Sequence, residues 1–243
     1  MFVIVRLSED TVRGRRKRKE PFCTSERTDI DLHRYFFTVT VKTRNGKYNR
    51  KALEGYTGRL SSSLILPDTH LKENRQLSLR RLLNFSPVFF KDTKPVKRLC
   101  ICDPEGFGAD LAEKLLPYAS TLHIVSSRKE LWQKTAQELF NKYGAAVTVS
   151  QLWNENAEIS DSVISSRLDY VPLSFKGDVF TCDTSGTHPS TVYRAQGIEL
   201  PFRFERLRPT CTDKLLFATC LYEKCSVREI ERCPFENIDI CRR

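Results

Sequence analysis

Val96-Lys97-Arg98-Leu99-Cys100-Ile101-Cys102-Asp103-Pro104-Glu105-Gly106-Phe107-Gly108 opens the stretch, residues 96–150, whose reading decides the fold. Leu99 to Cys102 is a short apolar run with charges before it and Asp103-Pro104 after it, the bounds of a buried parallel strand. Past the turn, Phe107, Leu111 and Leu115 recur every three or four residues with Ala112 and Leu116 beside them, and predict a helix whose last turn is marked by Pro117. Leu122 to Val125 reads as a second strand. Ser127-Arg128-Lys129-Glu130 then has the spacing of a capping box, in which the Ser127 hydroxyl accepts the Glu130 N–H. The helix that follows carries Leu131, Trp132, Thr135, Ala136, Leu139, Phe140 and Tyr143 on one side and closes on Gly144, before a third strand from Ala146 to Val149. Helical crossovers between short apolar strands predict right-handed, parallel β-α-β units.

This segment resembles the nucleotide-binding half of a Rossmann domain, most of all the shikimate dehydrogenase and glutamyl-tRNA reductase kind. In those families a Gly-rich turn follows the first strand, and an Arg-containing loop after the second recognises the phosphate of NADP. Gly108 matches the third glycine of the fingerprint, which lets helix and strand pack closely. Ser127 and Arg128 stand where the resemblance implies contact with a ribose or its 2'-phosphate. The first two glycine positions of G-x-G-x-x-G, however, fall on Asp103 and Glu105. A carboxylate facing a diphosphate is repelled, and strongly so in a partly dry site. If Gly106 and Gly108 are taken as the first two glycines instead, Leu111 occupies the third position. The turn is therefore read as a packing turn of a Rossmann-like scaffold, with dinucleotide binding as the alternative.

Outward from this core the charge is uneven. Residues 1–96 hold 21 Lys and Arg against 10 Asp and Glu, so the whole excess of the +10 chain precedes the Rossmann-like segment. It is densest at Arg13, Arg15, Arg16, Lys17, Arg18 and Lys19. Such a run neutralises phosphates without sequence preference, or stays a solvated loop held open by self-repulsion. It lacks the interleaved aromatic residues of single-strand binders. His33 to Lys42 is the strongest strand signal, ending near an Asn45-Gly46 turn. A short helix at 51–56, a strand at 64–66 and a helix at 76–83 complete a small α+β lobe, 1–95, whose Arg80-Arg81 pair is a candidate to join the basic run at a cleft. Met1 to Leu7 is too short for a signal segment and no stretch approaches 18 apolar residues, so a soluble, cytoplasmic protein without a membrane span is expected.

After Ser150 the pattern weakens. Residues 153–166 are polar and fit one short helix; Asp178 to Cys182 reads as a fourth parallel strand. The loop after it offers Asp183, Ser185 and His188, which would share the carboxyl edge of the sheet with the first turn, where open α/β sheets bind ligands. These residues are equally ordinary turn formers. A strand within 198–207 and a helical hairpin from Asp213 to Arg232, the second helix capped by Ser226, are predicted to pack on the sheet. Nine cysteines, five of them in the last 33 residues, lack any close C-x-x-C pair and read as buried thiols rather than metal ligands.

The sequence thus predicts an α/β chain: a basic α+β lobe, 1–95, and a Rossmann-like parallel-sheet lobe, 96–243. The leading functional expectation is a scaffold for a protein partner or a nucleotide-like small molecule, with no cofactor, and candidate ligand-edge residues Asp103, Glu105, Gly106, Gly108, Ser127, Arg128, Asp183, Ser185 and His188. One alternative is an NADP-dependent oxidoreductase; the other is a nucleic-acid or anionic-surface binder acting through residues 13–19.

Overall fold

The computed structural model describes residues 1–9, 23–43, 48–60, 64–65, 74–91 and 96–242. The first elements are β1 (Val3–Glu9), β2 (Cys23–Asp29), β3 (Tyr35–Thr43), α1 (Arg50–Thr57), β4 (Leu64–Ile65) and α2 (Arg75–Lys91). Next come β5 (Val96–Cys102), β6 (Ala119–Val125), α3 (Lys129–Tyr143), β7 (Ala146–Ser150), α4 (Glu155–Glu158), β8 (Ser162–Ser165) and β9 (Asp178–Thr181). The chain ends with β10 (Val192–Gln196), α5 (Phe202–Glu205), α6 (Lys214–Cys225) and β11 (Asn237–Cys241). Contacts divide it into two units, Met1–Lys72 with Leu200–Ile230, and Glu73–Glu199 with Glu231–Arg243.

That division differs from a cut at residue 95 in two places: α2 belongs with the larger sheet, and residues 200–230 return to the N-terminal unit. Packing explains the return. The N-terminal sheet has the order β2-β3-β1-β4, with β1 parallel to β3 and β4, and β2 antiparallel to β3. Phe2 and Phe36 stack with ring centroids 5.1 Å apart, and Phe217 of α6 meets both edge-on. Asp213 starts α6 by accepting the Leu215 and Leu216 N–H groups, and Ser226, expected to cap a second helix, instead closes α6 in a left-handed conformation with φ of 53°. The hairpin predicted to lie on the Rossmann-like sheet is thus a single helix followed by a short 3-10 segment, Arg228–Arg232. The predicted Asn45-Gly46 turn lies outside the described residues.

The larger sheet has the order β11-β10-β9-β8-β5-β6-β7, parallel throughout except for β11, which runs antiparallel to β10. Counted from β5, six strands follow the Rossmann order 3-2-1-4-5-6, with an antiparallel strand added at the far edge. β5 is central and buried on both faces, Leu99 and Ile101 in one core and Cys100 and Cys102 in the other, so its cysteines are packing residues.

Four local expectations are corrected. The first crossover is a 3-10 segment, Ala109–Leu115, and not an α-helix. α3 lacks a capping box: Ser127 is turned elsewhere, and the Ser126 hydroxyl accepts the Arg128 N–H. On α3 only Trp132 and Leu139 are buried, while Leu131, Phe140 and Tyr143 are exposed, because the helix crosses the sheet near its edge and presents a narrow stripe inward. Finally, residues 198–207 hold α5, while β8 and β10 are strands that the sequence reading passed over.

Candidate functional site

β5 delivers the chain to Asp103, which is fully buried. Its Oδ1 accepts the Phe107 N–H at 2.9 Å and its Oδ2 the Gly108 N–H at 2.8 Å. The Gly106 N–H donates to the Asp103 carbonyl at 3.2 Å, and the Ser126 hydroxyl donates to that carbonyl at 2.5 Å. Burial raises the Asp103 carboxyl above its ordinary value, against the pull of the Gly108, Phe107 and Gly106 N–H groups. The buried Trp132 indole N–H favours the ionised form too, without meeting hydrogen-bond geometry. Backbone donors at the first turn are what a bound diphosphate takes in a Rossmann fold. Here the chain's own carboxylate takes those of Phe107 and Gly108.

Both glycines of the turn have packing reasons. Gly106 sits at φ of 77°, and a Cβ there would lie 2.9 Å from Leu131 Cδ2 and 3.1 Å from Arg128 Cβ. A Cβ on Gly108 would lie 2.2 Å from Leu83 Cδ1, so the buried Leu83 side chain of α2 would have to shift to admit one. Gly108 thus serves close packing, but against α2. Glu105 pairs with Arg75 at 3.2 Å, and the same guanidinium reaches the Tyr170 hydroxyl at 3.0 Å. Burial first, and Glu105 second, push the Tyr170 phenol upward.

The loop after β6 folds onto this turn. The Ser127 hydroxyl donates to the Pro104 carbonyl, and the aliphatic stem of Arg128 covers Gly106. Arg128 is exposed, and its guanidinium makes no hydrogen bond or ion pair with the described residues.

Asp183, Ser185 and His188 form a separate cluster. Asp183 accepts the Leu168 N–H at 3.0 Å, the Ser185 N–H at 2.9 Å and the Ser185 hydroxyl at 2.6 Å. Burial disfavours the Asp183 carboxylate, but these bonds and the field of Arg167 outweigh it and hold the carboxyl below its ordinary value. The His188 Nδ1 accepts the Ser190 N–H at 3.2 Å, which places the proton on Nε2, facing the Pro172 carbonyl at 2.9 Å. With both nitrogens engaged, His188 is a structural histidine here. Beneath the loop, Arg194 donates to the carbonyls of Asp183, Ser185 and Gly186. A cavity of about 370 Å³ opens beside it, lined in part by Arg167, Asp169, Leu173 and Thr187. No hydrogen bond joins this cluster directly to Asp103, Glu105 or Ser127; the Arg75–Tyr170 contact stands between them.

Arg13, Arg15, Arg16, Lys17, Arg18 and Lys19 lie outside the described residues. Arg80 and Arg81, candidates to join them at a cleft, are committed elsewhere. Arg80 is bidentate to Asp110, at 2.6 and 2.8 Å, and also bonds Glu231. Arg81 is buried, lies 4.0 Å over the Phe235 ring, and donates to the carbonyls of Gly197, Cys233 and Pro234. Burial lowers the Arg81 guanidinium to about 10, against the fields of Cys182, Cys233 and Glu236. Among the described residues no three His, Cys, Asp or Glu side chains are placed to hold a metal ion, and no helix is long and apolar enough to cross a membrane. Arg75, Tyr170 and Arg194 escaped the sequence reading, since their partners are remote in the chain.

No family model and no curated protein matches the chain. Solved structures give fold-level likeness. Quinate dehydrogenase from Corynebacterium glutamicum in complex with NAD is 13% identical over 59% of this chain and 70% of its own, with a TM-score of 0.33. Thermococcus litoralis Δ1-pyrroline-2-carboxylate reductase in complex with NADH and L-proline is 13% identical over 42% of this chain and 36% of its own, with a TM-score of 0.31. L-tryptophan dehydrogenase from Nostoc punctiforme is 10% identical over 81% of this chain and 64% of its own, with a TM-score of 0.32. The Rossmann assignment rests on the strand order itself.

Proposed function

We propose that this protein is a Rossmann-fold scaffold that works through contacts with other molecules and does not transfer hydride through a dinucleotide held at its first turn. One observation carries the reading: the buried Asp103 carboxylate occupies the Phe107 and Gly108 N–H groups, so a diphosphate would have to displace a like charge to reach them. Calorimetric titration of the purified chain with NAD and NADP tests it. No saturable heat is expected up to about 1 mM ligand, the weak limit of specific binding. Saturable binding of either cofactor overturns the proposal.

The NADP-dependent oxidoreductase reading has support of its own in Arg128, an exposed guanidinium at the end of β6 where a 2'-phosphate would lie. Under that reading NADP binds and Arg128→Ala abolishes binding, while NAD, lacking the 2'-phosphate, is unaffected by the change. Nucleic-acid binding through residues 13–19 is supported by charge alone. It requires an affinity that falls steeply with salt and flattens when Arg15 to Lys19 are neutralised.

A further inference from the structure

Among the described residues β7 is an edge strand of the larger sheet, paired only with β6. With α3 it frames a groove of about 620 Å³, lined among others by Gln133, Ala136 and Phe140 from the helix and by Ala146, Val147 and Val149 from the strand. None of the lining side chains is charged, in a chain whose residues are 29% charged and whose net charge is +10. Phe140 is 60% exposed.

The backbone of this edge is open as well. The Ser150 carbonyl accepts the Ser126 N–H at 2.9 Å and therefore faces β6. Backbone groups alternate along a strand, so the N–H and C=O of Val147 and Val149 point away from the sheet. Natural edges are guarded by lysines, prolines, bulges or inward charges. Ala145-Ala146-Val147-Thr148-Val149-Ser150-Gln151-Leu152 carries no charge and no proline, and Leu152 is exposed.

We infer that this edge is a homotypic interface, and that a second copy of the chain is its occupant. A two-fold axis near Thr148 sets β7 antiparallel to its counterpart. Val147 of each copy then exchanges backbone hydrogen bonds with Val149 of the other, and the two Phe140 rings and grooves face each other. Charge selects the occupant. A two-fold contact sets each patch against itself, so a net patch charge would meet its own like charge, and the lining of this groove carries none. The inference is independent of whether the first turn binds a nucleotide, and a titration and a mass measurement fail separately.

The test is the solution mass of the full chain by light scattering and sedimentation. At about 100 µM, where a micromolar contact is populated, twice the 28.2 kDa chain mass is expected. Phe140→Lys should weaken the dimer at least about tenfold, and Val147→Pro, which deletes an outward N–H without touching the β6 ladder, should weaken it further. Amide exchange on the wild-type chain supplies a readout that needs no variant: protection of Val147 and Val149 should rise with protein concentration while that of Thr148 stays constant. A monomer at about 100 µM, including one that takes up an extended peptide at this edge instead, overturns the inference. A dimer insensitive to both substitutions, with concentration-independent protection at Val147 and Val149, overturns it equally.

Discussion

Asp103→Ala removes the acceptor of the Phe107 and Gly108 N–H groups in a turn where Asp103 itself has no solvent exposure. A buried donor stripped of its partner costs about 1–3 kcal/mol, so two lost partners destabilise the larger unit by about 2–6 kcal/mol. Burial disfavours the ionised carboxylate, so its removal returns part of that loss and places the expected value in the lower half of the range. Urea unfolding followed by tryptophan fluorescence measures it, since Trp132 is buried against this turn. Amide exchange at Phe107 and Gly108 gives the local readout, in which both amides should lose protection. Glu105→Ala is the matched control: its partly exposed pair with Arg75 is worth under about 1 kcal/mol. If Asp103→Ala costs less than about 0.5 kcal/mol, the size of a neutral surface change, the carboxylate is not anchoring the turn and the reasoning fails.

Gly108→Ala drives a Cβ to within 2.2 Å of Leu83 Cδ1 in a fully buried leucine, an overpacking worth about 1–3 kcal/mol. A fall in thermal midpoint of about 2–12 °C is expected, and an unchanged midpoint would show that α2 yields easily. The Asp103 and Asp183 carboxyls predict opposite pH dependences. Asp103 is raised, so its contribution is complete below the unfolded value of about 3.9 and is lost as pH rises through the folded value. Asp183 is lowered, so its contribution is present above about 3.9 and is lost as pH falls through the folded value. Asp103→Asn should therefore flatten the stability profile above about pH 4 and Asp183→Asn below it; the reverse pattern in urea midpoints contradicts the assignment. Arg194→Met removes the donor shared by three carbonyls of the 183–186 turn, and faster amide exchange there, with little change at Phe107, is the expected result.

The parts of this fold that could be read in advance are those in which local pattern and tertiary role coincide. β5, β6, α3 and β7 combine apolar runs with a left-handed glycine at 144, and all four occur. β8 was illegible because a central strand reading Ser-Val-Ile-Ser has only two apolar residues, though every position in it is buried. The Ser165 hydroxyl donates to the Arg167 carbonyl. The four-residue spacing of Phe107, Leu111 and Leu115 is the α-helical one, whereas a 3-10 segment aligns residues three apart; nothing in that pattern announces the Asp103 side chain, which takes the Phe107 and Gly108 amides just ahead of the segment. At the site, Asp103 was legible as the wrong residue for a phosphate but not as an anchor, which requires knowing that it is buried. Arg194 and Arg75 act over 8 to 11 and over 30 to 95 residues of chain, beyond any local pattern.

The remnant Gly106-Phe107-Gly108 illustrates why a glycine pattern is weak evidence for a ligand. In a dinucleotide fold, glycines at this turn serve both backbone geometry and access of the diphosphate. In this chain the two demands separate. Gly106 answers to its positive φ and to Arg128 and Leu131 above it, and Gly108 to Leu83 of α2. The amides of Phe107 and Gly108 still require an acceptor, because a buried turn cannot leave its donors unpaired. Asp103 supplies that acceptor from the end of the same strand that aims the turn. Under the proposed reading the first turn is closed by its own side chain, and the surfaces to test are the Arg128 guanidinium and the uncharged edge at β7.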